Sequence, residues 1–290
     1  MIREIQAKVL LSRVKGPDPW FGLYYNMNLY RGCQHRCIYC DSRSECYGIA
    51  DFDGEVLVKF NAVDLLRKEL PRKRVRGTIG TGSMNDPYMP LERERRLTGR
   101  ALEAIAEFHF PVHILTKSDL VLRDLELLRE IGQVYAAVSF TITTADDELG
   151  KKVEPYAAPV SARFAAIEAL AAHGIYTGIT LMPVLPFIED HSENITAIVE
   201  RAHACGASYI IPSFGMTMRD RQREYFYARL DEHFPGLRQR YERAYGERYG
   251  CAVPAAGRLG QVFAELCDRH GIATHITPYT PQAAKQLALL

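Results

Sequence analysis

The chain has 290 residues, 47% of them hydrophobic, enough to bury a large core. Its 36 Lys and Arg stand against 35 Asp and Glu, and the net charge of +1 excludes a chain-wide electrostatic signature for nucleic acid, membrane or acidic partners, leaving only local patches. No run of about 18 apolar residues occurs, and Met1 to Ser12 mixes Arg3, Glu4, Gln6 and Lys8 among apolar residues, so neither a membrane span nor a signal peptide is expected and the chain is read as cytoplasmic.

In chain order, Gly16-Pro-Asp-Pro-Trp-Phe21 comes first. Two prolines stiffen it, it carries the only Trp, and it is expected to fold back over the mouth of the domain. β-rich runs follow near 25–32, 76–82, 112–117, 134–141, 176–185 and 208–214. Between them the apolar spacing becomes helical, as in Leu122, Leu125 and Leu128, in Phe164, Ile167 and Leu170, and in Ile195, Ile198, Val199 and Ala202. Asn61 and Ser161 read as helix N-caps, and Gly132, Gly174 and Gly206 as left-handed residues that end helices. Such alternation forms repeated βαβ units, which curl into an open parallel sheet or a barrel. Six units suit a partial barrel better than a closed eight-stranded one, so the expected fold is α/β, a partial (β/α)6 TIM-like barrel over about 25–215. An extension over about 216–290 begins with an Arg- and Tyr-rich stretch from Thr217 to Gly250, continues in a helix near 258–270 and closes with a run from Thr274 to Thr277. The whole of 1–290 reads as a single domain, with function gathered at the C-terminal ends of the strands.

The first β-rich run leads into Asn28-Leu-Tyr-Arg-Gly-Cys33-Gln-His-Arg-Cys37-Ile-Tyr-Cys40. Seven cysteines, three of them within eight residues, argue for metal or redox chemistry over a disulfide framework in a reducing compartment. Thiolates spaced i, i+4, i+7 can wrap one face of a cubane cluster and leave the fourth iron without a protein ligand. Structural zinc is the alternative. It wants four ligands, usually in two close pairs, and Cys205, Cys251 and Cys267 form no second pair, so zinc would have to recruit Cys46 or His35.

The CxxxCxxC spacing, with the aromatic Tyr39 before its last cysteine, resembles the signature of the radical S-adenosylmethionine superfamily, and the alternation over about 25–215 is similar to that superfamily's partial barrel. Within it, the chain resembles the spore photoproduct lyase-like group through Gly-Pro-Asp-Pro-Trp-Phe-Gly before the motif, Cys40-Asp-Ser-Arg-Ser after it, and Gly82-Ser-Met-Asn-Asp-Pro-Tyr88. The resemblance implies a 4Fe-4S cluster held by Cys33, Cys37 and Cys40, whose open iron is chelated by S-adenosylmethionine. An electron, suggested to come from a flavodoxin or ferredoxin, then breaks a C–S bond and yields a 5′-deoxyadenosyl radical that takes hydrogen from substrate. The resemblance also assigns roles: Tyr39 near the adenine; Ser83, Asn85 and Asp86 toward the methionine ammonium; Lys117 as a point charge for the methionine carboxylate; Ser139 as a hydroxyl for that carboxylate or the ribose; Met182 and Pro183 as backbone beside the adenine. Asn85-Asp-Pro is also ordinary turn chemistry, and Lys117-Ser-Asp119 can equally cap the next helix.

A lyase that restores its product needs a hydrogen donor. The spore photoproduct lyase-like group carries a cysteine after the second strand, where this chain has Gly80-Thr-Gly-Ser83. Cys46 is the remaining catalytic candidate, against an ordinary small buried residue, while Cys205 and Cys267 read as core. In the extension, Arg219 to Tyr227 together with Tyr241, Tyr245 and Tyr249 sets aromatics among arginines, which can stack bases and neutralise phosphates. The spacing of four equally lays one helix face on the barrel, and packing is the preferred reading. Glu189-Asp190-His191 lies at the reactive end, where proton transfer and helix capping by Ser192 both account for it. Three functions follow: a photoproduct-lyase-type radical enzyme acting on nucleic acid, a radical enzyme modifying a peptide or small molecule, or a non-catalytic zinc or iron–sulfur binding module.

Overall fold

The computed structural model describes residues 1–16 and 18–281; Pro17, within the predicted Gly16 to Phe21 segment, lies outside them. The strands are β1 (Ile2–Ile5), β2 (Leu11–Arg13), β3 (Tyr25–Met27), β4 (Tyr30–Arg31), β5 (Val56–Lys59), β6 (Ile79–Thr81), β7 (Val112–Thr116), β8 (Ala136–Thr141), β9 (Tyr176–Leu181), β10 (Tyr209–Pro212), β11 (Gly215–Thr217) and β12 (Gly250–Ala252). The main sheet runs β10-β9-β8-β7-β6-β3-β2, with every neighbouring pair parallel except β2 on β3. The two outer strands, β10 and β2, do not pair, so the sheet curls without closing, and the partial barrel expected from the alternation is the fold.

Period-two alternation divides each strand between two layers. Val112, Ile114, Val138, Phe140, Ile179 and Leu181 belong to the large outer core with the helical Leu102, Leu128, Ile167 and Ile198. The register pairs His113 with Ala137 and Leu115 with Ser139, setting these residues on the inner face. Tyr209 and Ile211, also inward, pack with Ala137 and Phe21 in a separate cluster. Phe21 stacks on His113 with ring centroids 4.6 Å apart, near the start of β7, while Trp20 remains 46% exposed. The proline-stiffened segment therefore plugs the N-terminal end of the barrel and not its mouth, because the apolar inner residues it can cover lie at the strands' beginnings.

Other expectations need correction. The run 25–32 is not one strand. It breaks after Met27, and β4 leaves the main sheet to pair antiparallel with β5, which is parallel to β1 in a small side sheet. Ser161 lies inside the helix Val160–Ala172, whose N-cap is Pro159. Gly132 is the last residue of its helix with ordinary φ, whereas Gly174 and Gly206 take the left-handed conformation as expected. His191, not Ser192, caps the helix Ser192–Ala204, its Nδ1 accepting from Asn194 N at 3.2 Å. In the extension, Phe226, Tyr227, Tyr241 and Tyr245 are buried together with Ile38 and Tyr39, in keeping with the packing reading, and only Tyr249 of the series is exposed. The last helix, Ala256–His270, packs against Ser192–Ala204, and Ala273 bridges to Tyr209. No helix among the described residues is long and apolar enough to cross a membrane.

Candidate functional site

The cysteine loop begins where β4 ends. Gly32 turns the chain with φ +84°, and a Cβ there would come within 2.5 Å of the Glu55 carbonyl oxygen, so this close passage beneath β5 requires glycine. Beyond it, Cys33, Cys37 and Cys40 all line one cavity of about 670 Å³. The rest of the lining comes from the C-terminal ends of the strands: Gly82 to Asp86 after β6, Thr116 and Lys117 after β7, Thr141 at the end of β8, Met182 and Pro183 after β9, and Ser213 after β10. The β11–β12 hairpin crosses the open side and contributes Gly215 to Thr217 and Gly250 to Ala252.

The loop is held from two sides. His35 Nδ1 lies 3.0 Å from the Tyr156 carbonyl oxygen, and its Nε2 lies 3.1 Å from Asp86 Oδ2, off the line of an aligned hydrogen bond, so the second contact is an ion-pair contact. Asp86 also accepts from Thr116 Oγ1 at 2.7 Å, Lys117 N at 2.6 Å and Tyr88 N at 2.8 Å. Burial alone would raise its carboxyl, but the neighbouring His35, Thr116 and Lys117 outweigh that and hold it down at about 2. With both oxygens engaged, Asp86 is a brace between two loops and not a free ligand for an ammonium, which corrects its expected role.

On the other side, Tyr39 donates its hydroxyl to Glu154, which is ion-paired with the fully buried Arg163. Arg163 donates further to the Thr141 carbonyl at 2.9 Å and the Ala158 carbonyl at 2.8 Å, so both of its ends are satisfied. Ile38 N bonds the Val153 carbonyl at 2.9 Å, and Gln222 Nε2 donates to the Tyr39 carbonyl at 3.1 Å. Arg43, two residues after Asp41, is bidentate to Asp53 at 2.7 Å and lies 3.4 Å from the Tyr225 ring centroid. The loop is thus clamped between the barrel and the extension before any ligand arrives.

Burial pushes the Cys33 thiol up to about 12, with Asp86 and Cys40 adding to the rise. Burial likewise raises Cys37; Lys117 opposes the rise, and Glu154, Cys40 and Cys33 reinforce it. The three thiols therefore sense one another, and a soft metal must displace their protons. Among the described residues, no three His, Cys, Asp or Glu side chains converge closely enough to hold a single metal ion. A donor set spread over a wider wall suits a multi-iron cluster and not tetrahedral zinc. His35 has both ring nitrogens engaged and Cys46 lies outside the cavity, so neither completes the zinc site considered from sequence.

Lys117 Nζ points at the Tyr39 ring, 5.8 Å from its centroid, and has no carboxylate within ion-pair distance. Burial by itself would lower its ammonium, but Cys37, Glu154 and Asp86 reverse the shift, so the cation is kept for the cavity. The capping alternative is met as well, by Ser118, whose Oγ accepts from Leu120 N. Asn85 donates to the Tyr30 carbonyl at 2.7 Å and leaves its Oδ1 without a partner among the described residues. Ser83 is exposed at the cavity edge and donates to Asn26 Oδ1 at 3.1 Å. Gly82 has φ +90°, and a Cβ there would meet the Leu115 carbonyl at 2.2 Å, so the turn that presents Ser83 and Asn85 also depends on glycine.

Two expected residues are elsewhere. Ser139 is fully buried, bonded to His113 Nε2 at 2.8 Å and to Tyr209 OH at 2.7 Å. It lies one inward position below Thr141, in the sealed interior of the barrel, and does not line the cavity. Cys46 is exposed on a short turn, with Ser44 Oγ at 3.2 Å and Arg219 Nη1 at 3.8 Å, and does not line the cavity either. Glu189 is also sealed in, accepting from Thr143 Oγ1 at 2.7 Å and Leu185 N at 2.9 Å. Sequence reasoning missed Asp41, Tyr47, Thr217 and Cys251, all of which line the cavity. Asp41 accepts from Tyr47 OH at 2.9 Å, Arg219 Nε at 2.9 Å and Thr217 Oγ1 at 3.2 Å. The adjacency of Asp41 to Cys40 was the available signal; the hairpin residues left none.

A family model described as the radical SAM superfamily matches residues 27–198. An uncharacterized protein of Mycobacterium tuberculosis is 33% identical over 293 aligned residues, covering 98% of this chain and 85% of the relative. The radical SAM Nα-GlyT isomerase of Pseudomonas phage M6 is 28% identical over 182 residues, 63% of this chain and 37% of that protein. Among solved structures, a mutant spore photoproduct lyase with bound AdoMet and dinucleoside spore photoproduct superposes with a TM-score of 0.70 at 14% identity, covering 95% of this chain and 82% of that one. At that identity the likeness is one of fold.

Proposed function

The chain belongs to the radical SAM superfamily, an enzyme family that uses a 4Fe-4S cluster and S-adenosylmethionine, and from that premise we propose that Cys33, Cys37 and Cys40 hold the cluster in this cavity. The observation that carries the proposal is the convergence of the three thiols on one wall, opposite strand ends that offer an unpaired ammonium and an unpaired amide oxygen. When bound, the two cofactors supply one-electron cleavage of a C–S bond and a 5′-deoxyadenosyl radical able to take hydrogen from a substrate. Lys117 is the group suited to the methionine carboxylate, and Asn85 Oδ1 with Ser83 Oγ to the ammonium. Met182 and Pro183 lie where backbone can flank the adenine, with Tyr39 fixing the cysteine loop beside it. The substrate then enters under the β11–β12 hairpin, and residues 1–290 act as one domain.

For the substrate we favour nucleic acid, with lyase-like chemistry on a base. The supporting observation is at the mouth, where the exposed Tyr249 carries the Arg219 guanidinium 4.9 Å from its ring centroid and Arg221 and Arg248 lie alongside in sequence. An aromatic face beside cations suits a base and its phosphates. The second reading, a peptide or small molecule, rests on the modest net charge and on the many arginines already paired within the extension.

The test is anaerobic reconstitution, dithionite reduction with S-adenosylmethionine, and mass spectrometry for 5′-deoxyadenosine in the wild type and in Cys37→Ala. Iron-loaded wild type that never cleaves S-adenosylmethionine would refute the assignment. DNA affinity that does not weaken with salt would refute the nucleic-acid reading, because phosphate contacts release counterions.

A further inference from the structure

The cysteine loop has a second face. Behind it lies another cavity, of about 480 Å³, lined among others by Ile2, Cys33, Arg36, Pro90 and Tyr156. Of the three cysteines, Cys33 alone lines both cavities. A cluster seated in the first would fill it together with S-adenosylmethionine and substrate, so the second leaves the shortest uncovered approach to a cluster ligand.

The rim of this second cavity has the composition of a transient docking surface. Ile2 is 46% exposed and Tyr156 55% exposed, next to each other across the cavity. The Arg36 guanidinium lies 5.3 Å from the Tyr156 ring centroid and donates to the Asp53 backbone carbonyl at 2.6 Å. Most nearby carboxylates already have partners: Asp53 is held bidentately by Arg43, Glu55 pairs with Arg3, and Glu4 with Arg95. Arg36 reaches Asp53 only at 3.9 Å, after Arg43 has matched its charge. Arg93, exposed on the helix Glu92–Arg95 just past Pro90, has no ion pair among the described residues. Glu94 on the same helix is the one comparably free carboxylate. The rim is therefore apolar at its centre and net positive at its edge, as suits an acidic partner that binds briefly.

We propose that this face, centred on Arg36 and Tyr156, is the docking surface for a small acidic one-electron carrier that reduces the cluster by way of Cys33. The inference rests on the functional reading above. Each event moves one electron, lost by the reduced carrier and gained by the cluster, and no atom is transferred.

The test compares two reductants on anaerobically reconstituted protein by stopped-flow bleaching of the cluster absorbance: a reduced flavodoxin, and dithionite, which needs no docking. Arg36→Glu and Arg93→Glu are made separately, because Arg36 sits within the cysteine loop and Arg93 does not. Each is expected to slow reduction by flavodoxin about tenfold and to weaken its salt dependence, the scale on which electrostatic steering alters association rates, while dithionite reduction stays unchanged. Unchanged flavodoxin kinetics in Arg93→Glu, with iron content equal to wild type, would overturn the proposal. So would equal slowing by both reductants, which would place the effect on the cluster and not on docking. Failure of the underlying reading is distinct: the wild type would take up no iron before any reductant is added.

Discussion

The imidazole of His35, inside the cysteine loop, lies 3.1 Å from the carboxylate of Asp86, which belongs to the loop after β6. Both side chains are at least nine-tenths buried, so this pair ties the segment that carries the thiols to the strand ends that complete the cavity. The tie is local to neither sequence motif, and it makes the geometry of the thiols depend on a residue fifty positions away.

Removing one partner of a buried ionic contact leaves the other uncompensated. Asp86→Ala is therefore expected to lower the stability of the apoprotein by about 3 kcal/mol and to reduce iron uptake on reconstitution. Urea denaturation and iron analysis check the two effects separately. Wild-type iron content in a folded Asp86→Ala protein would show that the brace is dispensable.

The two cysteine classes should separate cleanly. Cys33→Ala, Cys37→Ala and Cys40→Ala should each abolish the visible absorption of the reconstituted cluster. Cys46→Ala, on an exposed turn outside the cavity, should leave both the absorption and 5′-deoxyadenosine formation at wild-type levels. Loss of product formation in Cys46→Ala would restore that residue as a catalytic candidate.

Lys117 offers a positive charge that no carboxylate neutralises within ion-pair distance. Lys117→Met should weaken binding of S-adenosylmethionine by about tenfold or more, the scale of a lost charge-assisted hydrogen bond, with cluster absorption retained. Equilibrium dialysis on the reconstituted protein measures it. Unaltered affinity would move the carboxylate contact elsewhere.

Glu189 supplies a pH dependence that does not involve the cluster. Burial raises its carboxyl to about 8, against partial opposition from the Leu185 N–H and the Thr143 hydroxyl. The folded-state value lies above the unfolded one, so the neutral acid's contribution is complete below the unfolded value of 4.5. It is lost as pH rises from there through about 8. Wild-type stability should fall by a few kcal/mol across that window, and Glu189→Gln should remove most of the slope. Denaturant titrations of the apoprotein at stepped pH give the comparison; parallel curves for both proteins would contradict it.

Much of this molecule was legible locally. The spacing of Cys33, Cys37 and Cys40, the alternation of strands and helices, and the left-handed Gly174 and Gly206 depend on residues a few positions apart, where periodicity and backbone sterics act directly. Lys117 and Asn85 were found because they follow strand ends, and a parallel sheet gathers such ends on one side. Tertiary structure decided the rest. Whether Ser139 or Thr141 reaches the cavity depends on how far β8 projects beside β7 and β9, and one layer of depth closes Ser139 behind His113 and Tyr209. Whether Phe21 covers the mouth or the base depends on which end of the barrel leaves apolar residues open, and the base does. Thr217 and Cys251 come to the cavity through a hairpin whose strands are separated by two helices in sequence. Their position follows from burial of the aromatic face of those helices against the cysteine loop, a long-range packing term that no local pattern encodes.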